Sequence, residues 1–338
     1  MKTIVLLTHK LIFSSFLMFF SFSAIAQINW TGAVNSDWNT SGNWDSGMIP
    51  TATDDVRIPN VATSPVIGNG INAVAKSVWV RENSTLTVSS GGTLTVKNGS
   101  NGFINSGTTN NSGTITIEPN GTGLLTESNS NFNNQSGGIL QIDGGLGQGI
   151  SNSGTFTNDG TIKIGTNTAV DEHGLGNIAV FQNNALGIVE IKNTGGNGIF
   201  NASGEIPGGG ASFGNFKNFG TVKIGENGTI GSSGINNNSG ATLDNSGTIT
   251  IGENGTITED GIFEMFATLN NLACAQIKVF DNLNIVFGSF NNSGLLTLIT
   301  SETHTPGFFQ NDGIVEDVQN TFPLGGNLIN NDIIVKPI

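Results

Sequence analysis

The stretch Asn245-Ser246-Gly247-Thr248-Ile249-Thr250-Ile251 decides the fold, because it joins a turn signal to a strictly alternating strand. Ile249 and Ile251 point to one side of that strand and the threonines to the other, which is the period of two of a half-buried β-strand. Further copies of this Asn-x-Gly element lie at Asn111–Ile117, Asn158–Ile164, Asn218–Ile224, Asn292–Leu298 and Asn311–Glu316, with weaker copies that start at Gly138, Gly187 and Ala275. Successive copies are separated by 19 residues (Gly294 to Gly313) to 33 residues (Gly187 to Gly220), which indicates a solenoid of repeats that cannot bury their apolar faces alone.

The repeat favours an all-β fold, a right-handed parallel β-helix. No stretch beyond residue 26 shows a 3.6-residue apolar pattern, so helical repeats are excluded. A β-propeller would have longer and more even repeats of about 40–50 residues. An outer-membrane barrel would need aromatic girdles, whereas the chain has no Tyr. Residues 61–338 then form the β-helix repeats, and at about 4.8 Å per coil roughly eleven coils give a rod about 50 Å long.

The turn residues carry two further expectations. Glycine and asparagine before each strand are expected to supply positive φ angles at the corners of the coil. Stacked asparagines are expected to form hydrogen-bonded ladders at the same corners, while isoleucine and valine form columns inside.

The N-terminus predicts export. Lys2, His9 and Lys10 precede an apolar run over Leu11–Phe22, and Ala24-Ile25-Ala26 follows. This is the layout of a signal peptide over residues 1–26. The serine-interrupted run is shorter than the ~20 residues that a membrane anchor needs, and no transmembrane segment is expected in the mature chain.

The charge balance excludes one class of partner. The chain has 12 Lys+Arg against 25 Asp+Glu, and removal of Lys2 and Lys10 with the signal peptide leaves 10 basic and 25 acidic residues, a net charge of −15. Phosphate would meet a repulsive surface, so a nucleic-acid partner is not expected. Cys274 is the only cysteine, so no internal disulfide can form, and we expect its side chain to be buried and inert.

The front of the mature chain, residues 27–60, looks like a Trp-rich cap over the first coil. Trp30, Trp38 and Trp44 crowd into it, and two interpretations stay open. Exposed rings would form a carbohydrate-binding platform, whereas buried rings would form a hydrophobic lid, which we favour. The far end, Asn331–Ile338, stops in the middle of a repeat without a cap.

A resemblance to a known group of proteins rests on several short motifs of this front segment, namely Trp30-Thr31-Gly32, Asp37-Trp38, Asn43-Trp44, Ile49-Pro50-Thr51 and Asp54-Asp55-Val56-Arg57-Ile58-Pro59. Together with the Leu-Thr-Val repeats at Thr85–Val88 and Thr93–Val96, they resemble large secreted surface proteins of Bacteroidetes. The resemblance implies an adhesin-like or pectin-lyase-like β-helix. Such proteins often carry a C-terminal sorting domain, and no candidate for one is visible here.

An enzyme is the alternative that this resemblance raises, as a polysaccharide lyase or glycoside hydrolase of pectin-lyase-like fold. A hydrolase needs two carboxylates about 5–9.5 Å apart, and Asp171-Glu172-His173 lies in a Gly-rich excursion where a site would be inserted. We prefer a solvated loop there. A lyase needs a basic residue, but Lys163, Lys223 and Lys278 occupy equivalent outward strand positions typical of a solvated face.

No cofactor or metal is expected. Calcium is conceivable from the acidic charge alone, but the Gly-Gly-x-Gly-x-Asp nonapeptide is absent. Outward Thr-x-Thr pairs would suit ice binding, yet Lys163, Glu190 and Lys223 interrupt the ladder at equivalent positions.

The sequence therefore predicts an exported, secreted or cell-surface β-solenoid that acts as a non-catalytic, adhesin-like scaffold and contacts a polysaccharide or another cell surface. One structural criterion separates this hypothesis from the enzyme. Carboxylates that converge on one face would favour the enzyme, and a flat Thr/Asn/Lys face would favour adhesion.

Overall fold

A computed structural model describes residues 27–206, 210–299, 302–304, 307–322 and 327–337. The predicted signal peptide, residues 1–26, lies outside the described residues. Over the described ranges the chain is almost entirely β-structure, and its one helical element is the 3-10 turn Ser41–Asn43.

The chain winds into a parallel β-solenoid of about eleven turns. Most coils contribute one strand to each of three sheets, and each strand pairs in parallel with its equivalents one coil before and one coil after. Sheet 1 contains Gln27–Asn29, Asp55–Ile58, Ser77–Val80, Phe103–Asn105, Leu124–Thr126, Ile150–Asn152, Leu175–Asn177, Ile199–Asn201, Ile235–Asn238, Ile262–Met265, Leu283–Ile285 and Thr303–His304. Sheet 2 contains Val66–Ile67, Thr85–Val88, Thr108–Asn111, Asn131–Asn134, Thr155–Asn158, Val180–Asn183, Asn215–Asn218, Thr242–Asn245, Thr268–Asn271, Ser289–Asn292, Phe308–Asn311 and Leu328–Asn330. Sheet 3 contains Asn72–Ala75, Thr93–Lys97, Thr114–Glu118, Ile139–Ile142, Thr161–Ile164, Ile188–Thr194, Thr221–Ile230, Thr248–Ile251, Thr256–Ile257, Gln276–Val279, Leu295–Leu298, Ile314–Asp317 and Ile333–Val335.

The predicted parallel β-helix is thus confirmed as a parallel β-solenoid, and the repeats read from the sequence are the strands of sheet 3. The variation in repeat length is absorbed outside the three sheets. In the longest repeat an antiparallel hairpin, Ser203–Ile206 with Gly210–Phe213, projects between a sheet 1 strand and the following sheet 2 strand. Register is therefore kept from coil to coil although the coils differ in length.

Stacked apolar columns fill the interior. Phe132, Phe156, Phe181 and Phe216 occupy one register position of sheet 2 and are all fully buried. Their rings stack at centroid distances of 4.8, 4.9 and 5.0 Å. Offset or stacked ring pairs add about 0.5–1.5 kcal/mol beyond simple burial, so this column stabilises the middle of the rod without any disulfide.

Asparagine ladders run beside these columns, as predicted, but inside the solenoid. The sheet 2 ladder uses the last residue of each strand, and each Nδ2 donates to the Oδ1 of the next rung at 2.7–2.9 Å. Its rungs are Asn111, Asn134, Asn158, Asn183, Asn218, Asn245, Asn271, Asn292, Asn311 and Asn330. Amides also donate to main-chain carbonyls of the next coil, as Asn218 does to Thr248 at 3.2 Å. Buried amides cost free energy unless they are paired, and the ladder supplies that pairing.

Glycine and asparagine do supply positive φ angles before some strands, as at Gly91, Gly137 and Asn129, but the prediction was wrong for the glycines of the Asn-x-Gly motif. Gly113, Gly160, Gly220 and Gly247 are absent from the positions with positive φ among the described residues. They are required because the corner lies against the preceding coil: a Cβ on Gly220 would come within 2.2 Å of the carbonyl oxygen of Gly187. The motif glycine is therefore needed for its lack of a side chain and not for a left-handed backbone conformation.

The prediction for Cys274 was also wrong. Its side chain is exposed, because the residue occupies a turn with φ of 66° at the corner before the strand Gln276–Val279. It takes the place that other coils give to a turn residue, and only the following Ala275 is buried.

The Trp-rich front segment closes the first coils. Trp30 and Trp38 each meet Trp44 edge to face, at centroid distances of 4.9 and 4.7 Å, and Trp30 donates from Nε1 to the carbonyl of Thr63 at 2.7 Å. The strand Asp55–Ile58 pairs in parallel with Ser77–Val80, so coil stacking begins within the segment assigned to the cap.

Candidate functional site

The outer face of sheet 3 is a long regular surface of the rod, and the outer face of sheet 2 matches it in length. We call its central outward column the sheet 3 face; it consists of Thr95, Thr116, Gln141, Lys163, Glu190, Lys223, Thr250, Lys278, Thr297 and Glu316, one per coil in strict register. The predicted equivalence of Lys163, Lys223 and Lys278 is confirmed, and so is the interruption of the threonine ladder. The face is polar and mixes both signs of charge.

The three tryptophans of the front segment offer no surface to a ligand. Trp30, Trp38 and Trp44 are 1%, 0% and 3% exposed. A sugar stacks on the open face of a ring, and these faces are covered by one another and by the first coils. Their placement is that of the hydrophobic lid, because packing three indoles together shields the apolar end of the solenoid.

Asp171, Glu172 and His173 do not form a convergent set. Asp171 and Glu172 are exposed, and His173 is half-buried. The His173 ring stacks on Phe200 at a centroid distance of 4.8 Å, and its Nδ1 accepts the main-chain N–H of Asn197 at 3.0 Å. Burial lowers the pKa of His173, while the charge of Glu172 opposes this shift. These contacts fix a loop onto the next coil.

An aromatic–arginine cluster that sequence reasoning missed lies on the outer side of sheet 1. Trp79 is half-buried on the strand Ser77–Val80 and faces outward. The guanidinium carbon of Arg81 lies 4.0 Å from its ring centroid, and that of Arg57, the register partner on the preceding coil, lies 5.4 Å away. Planar guanidinium groups bind aromatic rings in this way while their in-plane donors stay available.

A polar groove of about 490 Å³ adjoins this cluster at the corner between sheets 1 and 2; it is lined by Glu82, Asn83, Ser106, Gly107, Thr108, Glu127, Ser128, Asn129 and Asn131. A hydrogen-bond chain connects the two features. Trp79 donates from Nε1 to Oγ of Ser106 at 2.9 Å, and Ser106 in turn donates to the carboxylate of Glu127. The indole is thereby fixed with one edge at the groove and its ring against the arginines.

Two carboxyl groups occupy equivalent positions of successive coils at the far end of sheet 1. Asp260 and Asp281 each lie two residues before a sheet 1 strand, and a Cβ placed on Gly261 would be 3.3 Å from the Cβ of Asp281. Burial raises the pKa of both carboxyls, and the charges of Asp281 and Glu259 raise that of Asp260 further. Asn284 donates to Asp260 at 3.4 Å.

Neither the groove beside Trp79 nor the pair Asp260 and Asp281 has the ligands of a metal centre. Over the described ranges, no group of three or more His, Cys, Asp or Glu side chains is placed to hold a metal ion. Likewise, no helix of the described chain is long and apolar enough to cross a membrane.

Comparison with known proteins gives one match. Residues 29–143 match a family described as a domain of unknown function (DUF8693). No curated protein and no solved structure matches the chain. The matched segment is about a third of the chain, and it contains the tryptophan lid, Trp79 with both arginines, and the groove. The resemblance to Bacteroidetes surface proteins and to pectin lyases stays a prediction.

Proposed function

We propose that the protein is an exported, adhesin-like β-solenoid that acts as an extended scaffold and contacts polysaccharide or another cell surface. The observation that supports this function is the sheet 3 face. Its ten outward residues, from Thr95 to Glu316, keep one register over successive coils, so the rod presents one continuous polar strip along much of its length. A repeating ligand can contact such a strip many times, and weak contacts then add up to avidity.

The internal construction supports the same function. Phenylalanine stacks and asparagine ladders hold the interior together, and outward residues such as Thr116 and Thr250 take no part in either. Their side chains are free to vary with the ligand, which suits a scaffold that presents a surface.

The test is a binding assay with separate readouts for capture and cleavage. The purified chain is incubated with a panel of insoluble polysaccharides and with bacterial cells, and both the protein depleted onto the solids and the soluble sugar released are measured. Depletion without release is the expected result. Release of sugar from any polymer would overturn the non-catalytic scaffold.

A paired set of variants tests the assigned surface. Thr116→Arg with Thr250→Arg places two large side chains on the sheet 3 face, and Thr157→Arg with Asn270→Arg places the same groups on the outward column of sheet 2. We expect less protein to be depleted onto the solids for the sheet 3 double variant, and no change for the sheet 2 double variant. If both double variants bind the solids equally well, the assignment of binding to sheet 3 is contradicted.

A carbohydrate-active enzyme is the second candidate, and Asp260 with Asp281 is the observation in its favour. A carboxyl group with a raised pKa suits a general acid, and a second carboxyl beside it suits a base or nucleophile. If the assay releases sugar, Asp260→Asn and Asp281→Asn should abolish the release, whereas Glu172→Gln in the exposed loop should leave it unchanged.

A further inference from the structure

The chain contains only two arginines, Arg57 and Arg81, and both lie against the ring of Trp79. We propose that this cluster is a binding site for the carboxylate or sulfate groups of an acidic polysaccharide, whose sugar rings continue into the adjoining groove. The proposal rests on the proposed scaffold function and adds to the sheet 3 face a second contact, on sheet 1, for an anionic ligand.

Neither arginine has a counter-ion within the described part of the chain. The ion pairs there use Lys76, Lys97, Lys223, Lys278 and Lys336, whereas both arginines, like the single lysines Lys163, Lys192 and Lys217, have no carboxylate partner. Nε of Arg57 is buried and has no hydrogen-bond acceptor. What distinguishes the arginines from the unpaired lysines is their grouping, because two guanidinium groups lie against one ring and together offer an external anion a site with two positive charges.

The ring makes the site rigid. Trp79 is held by its hydrogen bond to Ser106, and its ring in turn holds both guanidinium groups. An arginine fixed in this way loses less conformational entropy when it binds, and its planar donors match a carboxylate or sulfate with two parallel hydrogen bonds. Lysine on an exposed strand offers neither the rigidity nor the two-point geometry.

The groove explains why the anion belongs to a sugar. Beside the cationic cluster it carries carboxylate and amide groups, those of Glu82, Glu127, Asn83 and Asn129, which pair with hydroxyl groups. A ligand must therefore bring an anionic group and neutral hydroxyls within the same short span. Uronic acids and sulfated sugars have this combination, whereas a polyphosphate has no hydroxyl groups to pair with the carboxylates and amides of the groove.

The first experiment compares three soluble polymers: polygalacturonate for carboxylate, dextran sulfate for sulfate, and dextran as the neutral control. Binding to the full chain is measured by titration calorimetry at low salt. Arg57→Gln with Arg81→Gln should weaken binding of the acidic polymer by about tenfold or more, the loss expected for two charge-assisted contacts. Lys192→Gln with Lys217→Gln removes the same charge from outward strand positions elsewhere and should change the affinity little.

Each outcome has a defined meaning. Preference for polygalacturonate assigns the site to carboxylate, and preference for dextran sulfate assigns it to sulfate. If neither acidic polymer binds better than dextran, or if both double variants lose affinity equally, the proposal is overturned. The scaffold function is then still decided by the depletion assay with solid polymers, so the two failures are distinguishable.

A ligand-independent experiment tests the local charge. Trp79 is the only tryptophan outside the buried lid, so quenching by dissolved ions reports on it. The measured quantity is the quenching constant for iodide divided by that for neutral acrylamide. This ratio should be higher in the wild type than in Trp79→Phe. In Arg57→Gln/Arg81→Gln this preference for iodide should fall about twofold or more, because the local positive potential is lost. An unchanged ratio would show that the cluster presents no positive site.

Discussion

Asn237 donates from Nδ2 to Oε2 of Glu264 at 2.9 Å, and this carboxyl group is where the asparagine ladder of sheet 1 ends. The preceding rungs are Asn152, Asn177 and Asn201, joined at 2.7–2.8 Å. Glu264 is fully buried, and its other carboxyl oxygen, Oε1, has no partner. Burial raises the pKa of Glu264 to about 8, although the bond from Asn237 acts in the opposite direction. The rod thus contains one titratable rung.

This rung predicts a pH-dependent stability. Between the ordinary pKa of 4.5 and the raised value of about 8, the folded chain keeps a proton that the unfolded chain has lost. The free energy of unfolding therefore decreases as pH rises through this range. Glu264→Gln removes the titration, so the variant should match the wild type near pH 5 and exceed its melting temperature by several degrees at pH 9. The control Glu118→Gln, at an exposed position, should show the same dependence of melting temperature on pH as the wild type. If the melting temperatures of wild type and Glu264→Gln change with pH in parallel, this account is contradicted.

The sheet 2 ladder predicts a large cost for a single interior amide. Asn218 accepts from Asn183 and donates to Asn245, both at 2.8 Å. Asn218→Ala removes one buried hydrogen bond from each neighbour together with the bonds of its own amide, which should cost about 1–3 kcal/mol in the free energy of unfolding. Asn133→Ala removes an outward amide that donates to Asn110 at 2.9 Å, and water can replace that bond. Chemical denaturation should give a much lower free energy of unfolding for Asn218→Ala than for Asn133→Ala. Equal losses of free energy would mean that the ladder adds no stability.

The close approach at the motif glycine predicts that even alanine is rejected. In Gly220→Ala the new methyl group meets the Gly187 carbonyl oxygen at 2.2 Å, so coils must separate. We expect a loss of about 1–3 kcal/mol, the usual range for overpacking. Gly68→Ala is the matched control, because its nearest contact is Cδ1 of Ile71 at 3.6 Å. A melting temperature for Gly220→Ala equal to that of Gly68→Ala would show that the corners relax freely.

His173 predicts a local effect of acid. Its pKa is lowered from 6.5 by burial, so below that pH the unfolded chain binds a proton more readily than the folded one, and stability is lost as pH falls. Protonation also removes the Nδ1 acceptor of the Asn197 amide. Hydrogen exchange at Asn197, corrected for intrinsic rates, should be faster at pH 5 than at pH 7.5. In His173→Gln the difference should vanish; a protection factor that does not change with pH in the wild type would refute the coupling.

The sequence was sufficient where one repeat carries its own signal. Asn-x-Gly followed by alternating residues identified the strands of sheet 3, as at Gly294 and Gly313, and the asparagine of the same motif predicted a ladder. The structural roles of this asparagine and glycine were harder to predict. Whether a glycine serves a positive φ or a close approach depends on the distance between coils, which a single repeat does not contain.

The candidate sites were harder, because they join residues of different coils. Arg57 and Trp79 become neighbours only if the register of sheet 1 is known, and its short early strands lack the Asn-x-Gly motif. The same holds for Asp260 and Asp281. Their identical offset, two residues before Ile262 and Leu283, was a usable signal once those apolar residues were recognised as equivalent. The two arginines were a second signal, since no other arginine occurs in the chain.

The parallel register of the three sheets has a mechanical consequence. Main-chain bonds between strands point from coil to coil, and so do the amide bonds of both ladders. A tensile load applied along the rod therefore acts on all coil interfaces in series, and the weakest interface opens first. A load applied across the rod shears many bonds of one interface at once. The molecule resists sideways drag more strongly than it resists being peeled from an end.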